Sequence, residues 1–281
     1  MSVSIATLLN RAGAELAPAS PTPRLDAEIL LAHVLEMPRS HLFARPEQRL
    51  DGYKLRRYAL LVLARRKGQP VAYLTGQRDF WSLTLKVTPA TLIPRPETEL
   101  LVEEALRNVP VGVRWYLLDL GTGSGAIALA LAKERPQCIL TATDISRSAL
   151  AVARENAKRL EIHNLAFMQG QWFTPVSGRR FAMIVSNPPY VPNDDPHLNA
   201  GDLRFEPRHA LTGGPDGLAA IRKIVLRAPS HLDRGGALLL EHGYDQGERV
   251  RELLSAAGFS AIKTLRDLAG SERVTSGRFE A

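Results

Sequence analysis

The run Asp119-Leu120-Gly121-Thr122-Gly123-Ser124-Gly125 combines an acidic side chain with three closely spaced glycines. Glycines at the end of a strand let the backbone turn sharply and let a ligand approach the N-terminus of the next helix. Gly121, Gly123 and Ala126 meet the relaxed G-x-G-x-x-A spacing of dinucleotide sites, and Asp144 lies 23 residues beyond Gly121. An acid at that separation can accept both hydroxyls of a ribose, so the pair indicates an adenosine-type ligand without saying which. The alternative is a tight turn, with Asp144 capping the next helix. Two other chemistries are excluded. Ser124 is flanked two residues away by Thr122 and Ala126, which rules out a nucleophile elbow. No lysine follows the glycines until Lys133, so the nucleotide-phosphate loop is absent.

A second constellation is Asn187-Pro188-Pro189-Tyr190. Alone it reads as a proline-stiffened turn with a half-buried tyrosine. Its chemistry suits a planar NH2 group, whose lone pair is delocalised and whose two hydrogens are good donors. The Asn187 side-chain oxygen and the Pro188 carbonyl supply two acceptors, and Tyr190 offers a ring for stacking. Acceptors held in this way stabilise positive charge on a nitrogen that pyramidalises toward an electrophilic methyl group.

These residues need elements to position them. Strand patterns at 115–120, 139–144, 165–169, 181–186, 237–241 and 260–265 alternate with helix patterns at 97–108, 124–135, 146–160, 215–232 and 245–257; 273–279 reads as a last strand, antiparallel to the others. Such alternation predicts a mostly parallel sheet covered on both faces. In an open sheet of this kind ligands bind beyond the carboxyl ends of the strands, so the loop after the fourth strand faces the glycine loop. The long, proline-rich segment 187–215 is of a length usually given to function.

The first third has a different grammar. Ile5, Leu8, Leu9, Ala12 and Leu16 recur at helical spacing, and a second apolar stretch runs from Leu25 to Leu35. Asp51 is placed to cap a third helix, in which Leu55, Tyr58, Leu61 and Val62 share a face until Gly68 and Pro70. Leu83, Leu85 and Val87 then alternate with polar residues as in a half-buried strand, with 91–94 expected to return beside it. The expected division is a helical domain at 1–75, a hairpin linker at 76–97 and an α/β domain at 98–281.

Composition narrows the setting. With 281 residues, 45% hydrophobic and 23% charged, the chain can bury a sizeable core. The lone Cys138 excludes an internal disulfide, the seven histidines form no metal-type pair, and His33 and His242 read as ordinary polar groups. No metal is expected. Apolar runs fall far short of a membrane span, and the N-terminus does not read as a secretory signal, so a cytoplasmic protein without membrane contact is expected. The net charge of +7 is uneven: 1–97 carries 14 basic and 8 acidic residues, whereas 98–281 carries 22 and 21. Arg56, Arg57, Arg65, Arg66 and Lys67 lie on or just after one helix, where they could dock an acidic protein surface or simply be solvated.

Taken together, residues 119–125, Asp144 and 187–190 resemble the class I S-adenosylmethionine-dependent methyltransferases that modify planar NH2 groups. More narrowly, Ile93-Pro94-Arg95-Pro96-Glu97-Thr98-Glu99, Arg204-Phe205-Glu206-Pro207, Glu272-Arg273-Val274 and Arg24-Leu25-Asp26-Ala27-Glu28 resemble the release-factor glutamine methyltransferase family, PrmC/HemK. The resemblance spans nearly the whole chain. It implies a Rossmann-like α/β methyltransferase domain behind a small all-helical one, acting on the glutamine amide nitrogen in the Gly-Gly-Gln segment of class I peptide-chain release factors. S-adenosylmethionine would be the methyl donor and S-adenosylhomocysteine the product.

Carried over residue by residue, Asp119, Gly121, Thr122, Gly123, Ser124 and Gly125 belong to the cofactor site, the glycine loop by the methionine part, with Asp144 at the ribose, Trp172 by the adenine and Asn187 adjoining. Asn187, Pro188, Pro189 and Tyr190 bind the substrate glutamine, and Asn187, Pro188 and Tyr190 act in transfer. Gln171 departs from the acidic residue expected before this tryptophan. The resemblance further implies a monomer with a protein substrate and no stable nucleic-acid partner. Remaining alternatives are a ribosomal-protein glutamine methyltransferase and a nucleic-acid exocyclic-amine methyltransferase.

Overall fold

A computed structural model describes residues 2–50 and 52–280. The chain divides into two compact units, one comprising Met1–Gln77 with Asn199–Phe205 and the other Arg78–Leu198 with Glu206–Ala281.

The first unit is helical. A short strand β1 (Val3–Ser4) leads into α1 (Ile5–Leu16), capped by the Ser4 hydroxyl accepting from the Thr7 amide. All five apolar residues of the expected spacing are buried in α1, each contributing roughly 1–3 kcal/mol according to its size. α2 (Pro23–Leu35) starts on proline, whose missing N–H costs nothing there, and ends at Glu36 in the left-handed conformation. α3 (Arg39–Ala44) and β2 (Arg49–Leu50), which pairs antiparallel with β1, precede α4 (Gly52–Arg66) and α5 (Val71–Thr75). Tyr58 and Val62 of α4 are buried, with Leu55 and Leu61 packed beside them; the Asp51 cap lies outside the described residues.

One expectation for α4 is corrected. Arg65 is not a solvated docking charge. It is 5% exposed, donates through Nε to Asp26 at 2.6 Å and through Nη1 to Asp202 at 2.7 Å, and also reaches the Gln69 carbonyl. Its place on the inward side of α4, with Tyr58 and Val62, turns the guanidinium toward the buried Asp26 rather than toward solvent.

The second unit opens with the paired strands β3 (Gln77–Phe80) and β4 (Leu83–Lys86). The partner of β4 is thus β3; 91–94 does not return beside it, because Pro94 and Pro96 cannot donate to a ladder. Phe80, Leu83 and Leu85 are buried in the main core of this unit. A 3-10 turn at Pro96–Thr98 leads into α6 (Glu99–Asn108), followed by β5 (Tyr116–Leu120), α7 (Ala126–Glu134), β6 (Ile139–Asp144), α8 (Arg147–Arg159), β7 (Leu165–Gln169) and β8 (Phe181–Ser186). After the long loop and a short α9 (Arg208–Leu211) come α10 (Ala219–Arg227), β9 (Leu232–Glu241), α11 (Gly247–Ala256), β10 (Phe259–Arg266) and β11 (Glu272–Phe279).

The seven strands are ordered β10-β11-β9-β8-β5-β6-β7, with β5 to β9 mutually parallel and β11 antiparallel to both its neighbours. One apolar core lies around α6, α7 and the hairpin, and another around α10 and α11. This order puts the reversal of winding at β5, with β6 on one side and β8 on the other. The crevice outside that reversal is where an open sheet receives a ligand.

Candidate active site

Leu120 pairs with Thr143 on one side and Ser186 on the other, so the chain ends of β5, β6 and β8 stand together. The glycine loop is folded by main-chain bonds. The amides of Gly121 and Thr122 both donate to the Thr143 carbonyl, at 2.9 and 3.0 Å. Gly125 has φ +88°, and a Cβ there would lie 2.9 Å from the Leu129 side chain and 3.3 Å from that of Ala153, so the helix start tolerates only glycine. Asn156, fully buried on α8, locks the loop from behind: its Nδ2 donates to the Ser124 and Lys86 carbonyls and its Oδ1 accepts from the Lys86 amide.

Asp144 joins this loop to the next helix. Its Oδ2 accepts from the Gly123 amide at 2.9 Å and its Oδ1 from the Ser146 amide at 2.8 Å, while Ser146 caps α8. Each oxygen keeps a lone pair for a ligand. Asp119 lies deeper, with one oxygen accepting from the Thr122 hydroxyl at 2.6 Å and the other without a partner among the described residues. Burial pushes its carboxyl up to about 7, against the Thr122 hydrogen bond and helped by the Asp144 charge.

Gly121, Gly123, Asp144, Gly170, Gln171 and Trp172 line one part of a cavity of about 280 Å3, and Asn187, Pro189, His209 and Ala210 line another, together with 90–92. Trp172 sits at φ +49°, held there with the Thr143 hydroxyl donating to its carbonyl. The cavity has the parts an adenosine-bearing sulfonium cofactor needs: a diol acceptor, an indole and a glycine-lined backbone. Thr122 and Ser124 are buried behind the loop and Gly125 opens α7, so these support the wall rather than form it.

The second constellation departs from the strand beside it. Asn187 Nδ2 donates to the Thr98 hydroxyl at 3.1 Å. Pro188 is buried, whereas Pro189 faces the cavity. The Tyr190 ring packs against the second core, and its hydroxyl donates to Glu241 Oε1 at 3.3 Å. Burial and the Glu241 charge raise its pKa well above the usual phenol range. Glu241 ends β9, is 1% exposed, and is pushed up to about 7 by burial.

Sequence reasoning assigned no role to Thr98 or Glu241, nor to what stands behind 187–190. Gln246 Nε2 donates to the Tyr190 carbonyl at 3.0 Å, and Val191 bridges to Thr212. A Cβ on Gly213 would lie 2.5 Å from the Pro189 carbonyl oxygen, and one on Gly217 would lie 2.2 Å from that of Tyr190. The cluster Gly213-Gly214-Pro215-Asp216-Gly217 was the available signal. Glu206 is a further support: its buried carboxylate accepts from the Ile93 amide at 3.0 Å and from Arg95, joining the segments that carry residues 90–92 and 209–210 of the wall.

The comparisons agree with this geometry. Family models match at residues 7–76, described as PrmC N-terminal domain, and at 96–205, described as methyltransferase small domain. A release factor glutamine methyltransferase of Vibrio cholerae is 52% identical over 282 residues, covering 100% of this chain and 98% of the relative. One of Pseudomonas aeruginosa is 53% identical, covering 93% of this chain and 95% of the relative. Among solved structures, a methyltransferase from Pyrococcus furiosus shares the fold at TM-score 0.55 and 19% identity, over 79% of this chain and 98% of that one. With half its residues identical to these relatives along nearly their whole length, and with their two domain models in order, the chain belongs to the release factor glutamine methyltransferase family.

Proposed function

We propose that this protein transfers a methyl group from S-adenosylmethionine to the side-chain amide nitrogen of the glutamine in the Gly-Gly-Gln segment of class I release factors. The observation that carries the site reading is the placement of Asn187 in the same cavity wall system as Asp144 and Trp172, with its NH2 engaged by Thr98. That leaves Asn187 Oδ1 as an acceptor for a substrate NH2.

The bound cofactor supplies an electrophilic methyl on a sulfonium and leaves as the neutral thioether S-adenosylhomocysteine. Asp144 holds the ribose diol, Trp172 flanks the adenine, and residues 121–125 let the methionine part lie against backbone. Asp119, Thr122 and Ser124 keep that loop in shape. Asn187 Oδ1 and the Pro188 carbonyl accept the two amide hydrogens of the substrate, orient its nitrogen and favour the charge that grows on it as the C–N bond forms. Tyr190 and Pro189 enclose the planar group. The proton lost from the methylated nitrogen leaves to solvent after transfer, so no strong base is required, and the chemistry calls for no metal.

The substrate is a folded protein, and the exposed Arg56, Arg66 and Lys67 of the helical unit are suited to an acidic surface on it. The enzyme works as a cytoplasmic monomer without stable nucleic acid. No described helix is long and apolar enough to cross a membrane. Incubation of the purified protein with labelled S-adenosylmethionine and an intact release factor, followed by mass spectrometry of the Gly-Gly-Gln fragment, tests the proposal. One added methyl on that glutamine is expected. Label confined to a ribosomal protein or to nucleic acid would overturn it.

A further inference from the structure

An asparagine side chain is nearly symmetric in shape but chemically opposite at its two ends, an acceptor oxygen and a donor NH2. If Asn187 serves as proposed above, on which this inference rests, only one of its two orientations works: the oxygen must face the substrate NH2. The reversed amide would set donors against donors. The Thr98 hydroxyl, 3.1 Å from Asn187, does not decide between them by itself, since a hydroxyl can accept from NH2 or donate to the oxygen.

The deciding group stands behind Thr98. Ser186 pairs with Leu240, so Asn187 and Glu241 are the next residues on two adjacent parallel strands. An ionised carboxylate only accepts hydrogen bonds. Glu241 accepts from the Tyr190 hydroxyl at 3.3 Å, and the Thr98 hydroxyl lies against the same carboxyl and favours its charged form. With its proton directed to Glu241, Thr98 has only lone pairs to offer Asn187. We propose that Thr98 and Glu241 are positioning residues that fix which end of the Asn187 amide faces the substrate, through one directed chain from Asn187 to Thr98 to the Glu241 carboxylate.

The same carboxylate orients the Tyr190 hydroxyl, so one buried charge sets the direction of both polar side chains of 187–190. The other charged groups facing Glu241 are Arg273 on β11 and Glu97 in the turn before α6. Arg273 is engaged by Asp267 at 3.0 Å, and Arg95, which also acts on Tyr190, by Glu206. When Glu241 takes a proton it can donate, and the direction of the chain is lost. Burial sets that change near pH 7, within reach of an activity profile.

The test uses the full-length protein with Thr98→Val, Thr98→Ser, Glu241→Gln and Asn187→Ala, measuring kcat, KM for intact release factor, Kd for S-adenosylmethionine by calorimetry, and melting temperature. Thr98→Val is expected to lower kcat by about 10–100-fold, the usual scale for groups that orient a functional side chain, with Kd for S-adenosylmethionine within about 2-fold. Thr98→Ser should return to within about 3-fold of the parent. In the parent, kcat should rise between pH 6 and 8; Glu241→Gln should be about 10-fold slower at pH 8 and lack that rise.

Parental kcat in Thr98→Val, a serine variant as slow as the valine one, or an unchanged pH profile in Glu241→Gln would each overturn the positioning role. Should Thr98→Val melt below assay temperature, the serine and glutamine variants decide. Asn187→Ala separates the two levels: a slow Asn187→Ala with a fast Thr98→Val removes only the positioning chain, whereas a fast Asn187→Ala removes the site reading and this inference with it.

Discussion

The two walls of the cavity are built by different means. On the cofactor side, the main chain does the work: amides of 121 to 123 turn toward Thr143 and Asp144, and glycine conformations set the path. On the substrate side, side chains do it: Asn187, Thr98, Tyr190, Glu241 and Gln246 hold one another over sequence separations of 51 to 89 residues. A backbone cradle can accept one ligand shape, and its affinity is shared among several amides. A chain of side chains concentrates its effect in single groups and depends on their protonation. Substitutions on the second wall should therefore act on turnover, and those on the first on binding.

The largest expected effect is at Asn187. Its replacement by alanine should lower kcat by about 10²–10³-fold in single-turnover methyl transfer, the cost of losing one partner to developing charge, with little change in cofactor Kd. A loss confined to cofactor binding would erase the distinction between the walls.

Next is the pH dependence of stability. Asp119 and Glu241, one behind each wall, have carboxyls raised to about 7 by burial, from ordinary values of 3.8 and 4.5. The folded state then holds their protons more tightly than the unfolded one. Their contribution to stability is full below the ordinary carboxylate range and is lost as pH rises through 7, each on the order of 3 kcal/mol. Thermal melts from pH 5 to 8 should show falling stability, and Glu241→Gln should fall less than the parent. Parallel curves would assign the slope to other groups.

Asp144→Ala should follow, raising the Kd for S-adenosylmethionine about 10–100-fold by calorimetry, since its carboxylate accepts two loop amides as well as the ribose. Saturating cofactor should restore most of its kcat, which Asn187→Ala will not allow. Smallest is a change outside both walls. Reversing Arg56, Arg66 and Lys67 to glutamate should raise KM for intact release factor by about 3–10-fold and leave KM for a short Gly-Gly-Gln peptide unchanged. Equal effects on both substrates would remove the docking role.

This contrast also explains what was legible in sequence. The cofactor wall depends on glycines and one acid at near-fixed spacing after a strand, and local spacing carries that information. β6, β7 and β8 were legible to the residue because they are short, β-branched or apolar, and bounded by turns. The short helices α3, α5 and α9 were not, since four to six residues cannot display a helical period. Thr98 and Glu241 stood in plain view, one within a motif and the other at the end of an expected strand. Their connection depends on the register of β8 against β9, which no local pattern encodes. Arg65 misled for a similar reason: among five neighbouring cations, only the three-dimensional neighbours Asp26 and Asp202 distinguish the buried one.

That arginine has a consequence for how the chain must fold. The helical unit is discontinuous, completed by Asn199–Phe205, and Asp202 reaches Arg65 across 137 positions of chain, as Arg204 does the Lys67 carbonyl. During synthesis the first 77 residues leave the ribosome with Arg65 paired only to Asp26, and the second carboxylate arrives after β5 to β8 have been made. The helical unit therefore begins first and finishes late, its last ion pair closing a loop whose entropy must already be offset by the sheet forming inside it.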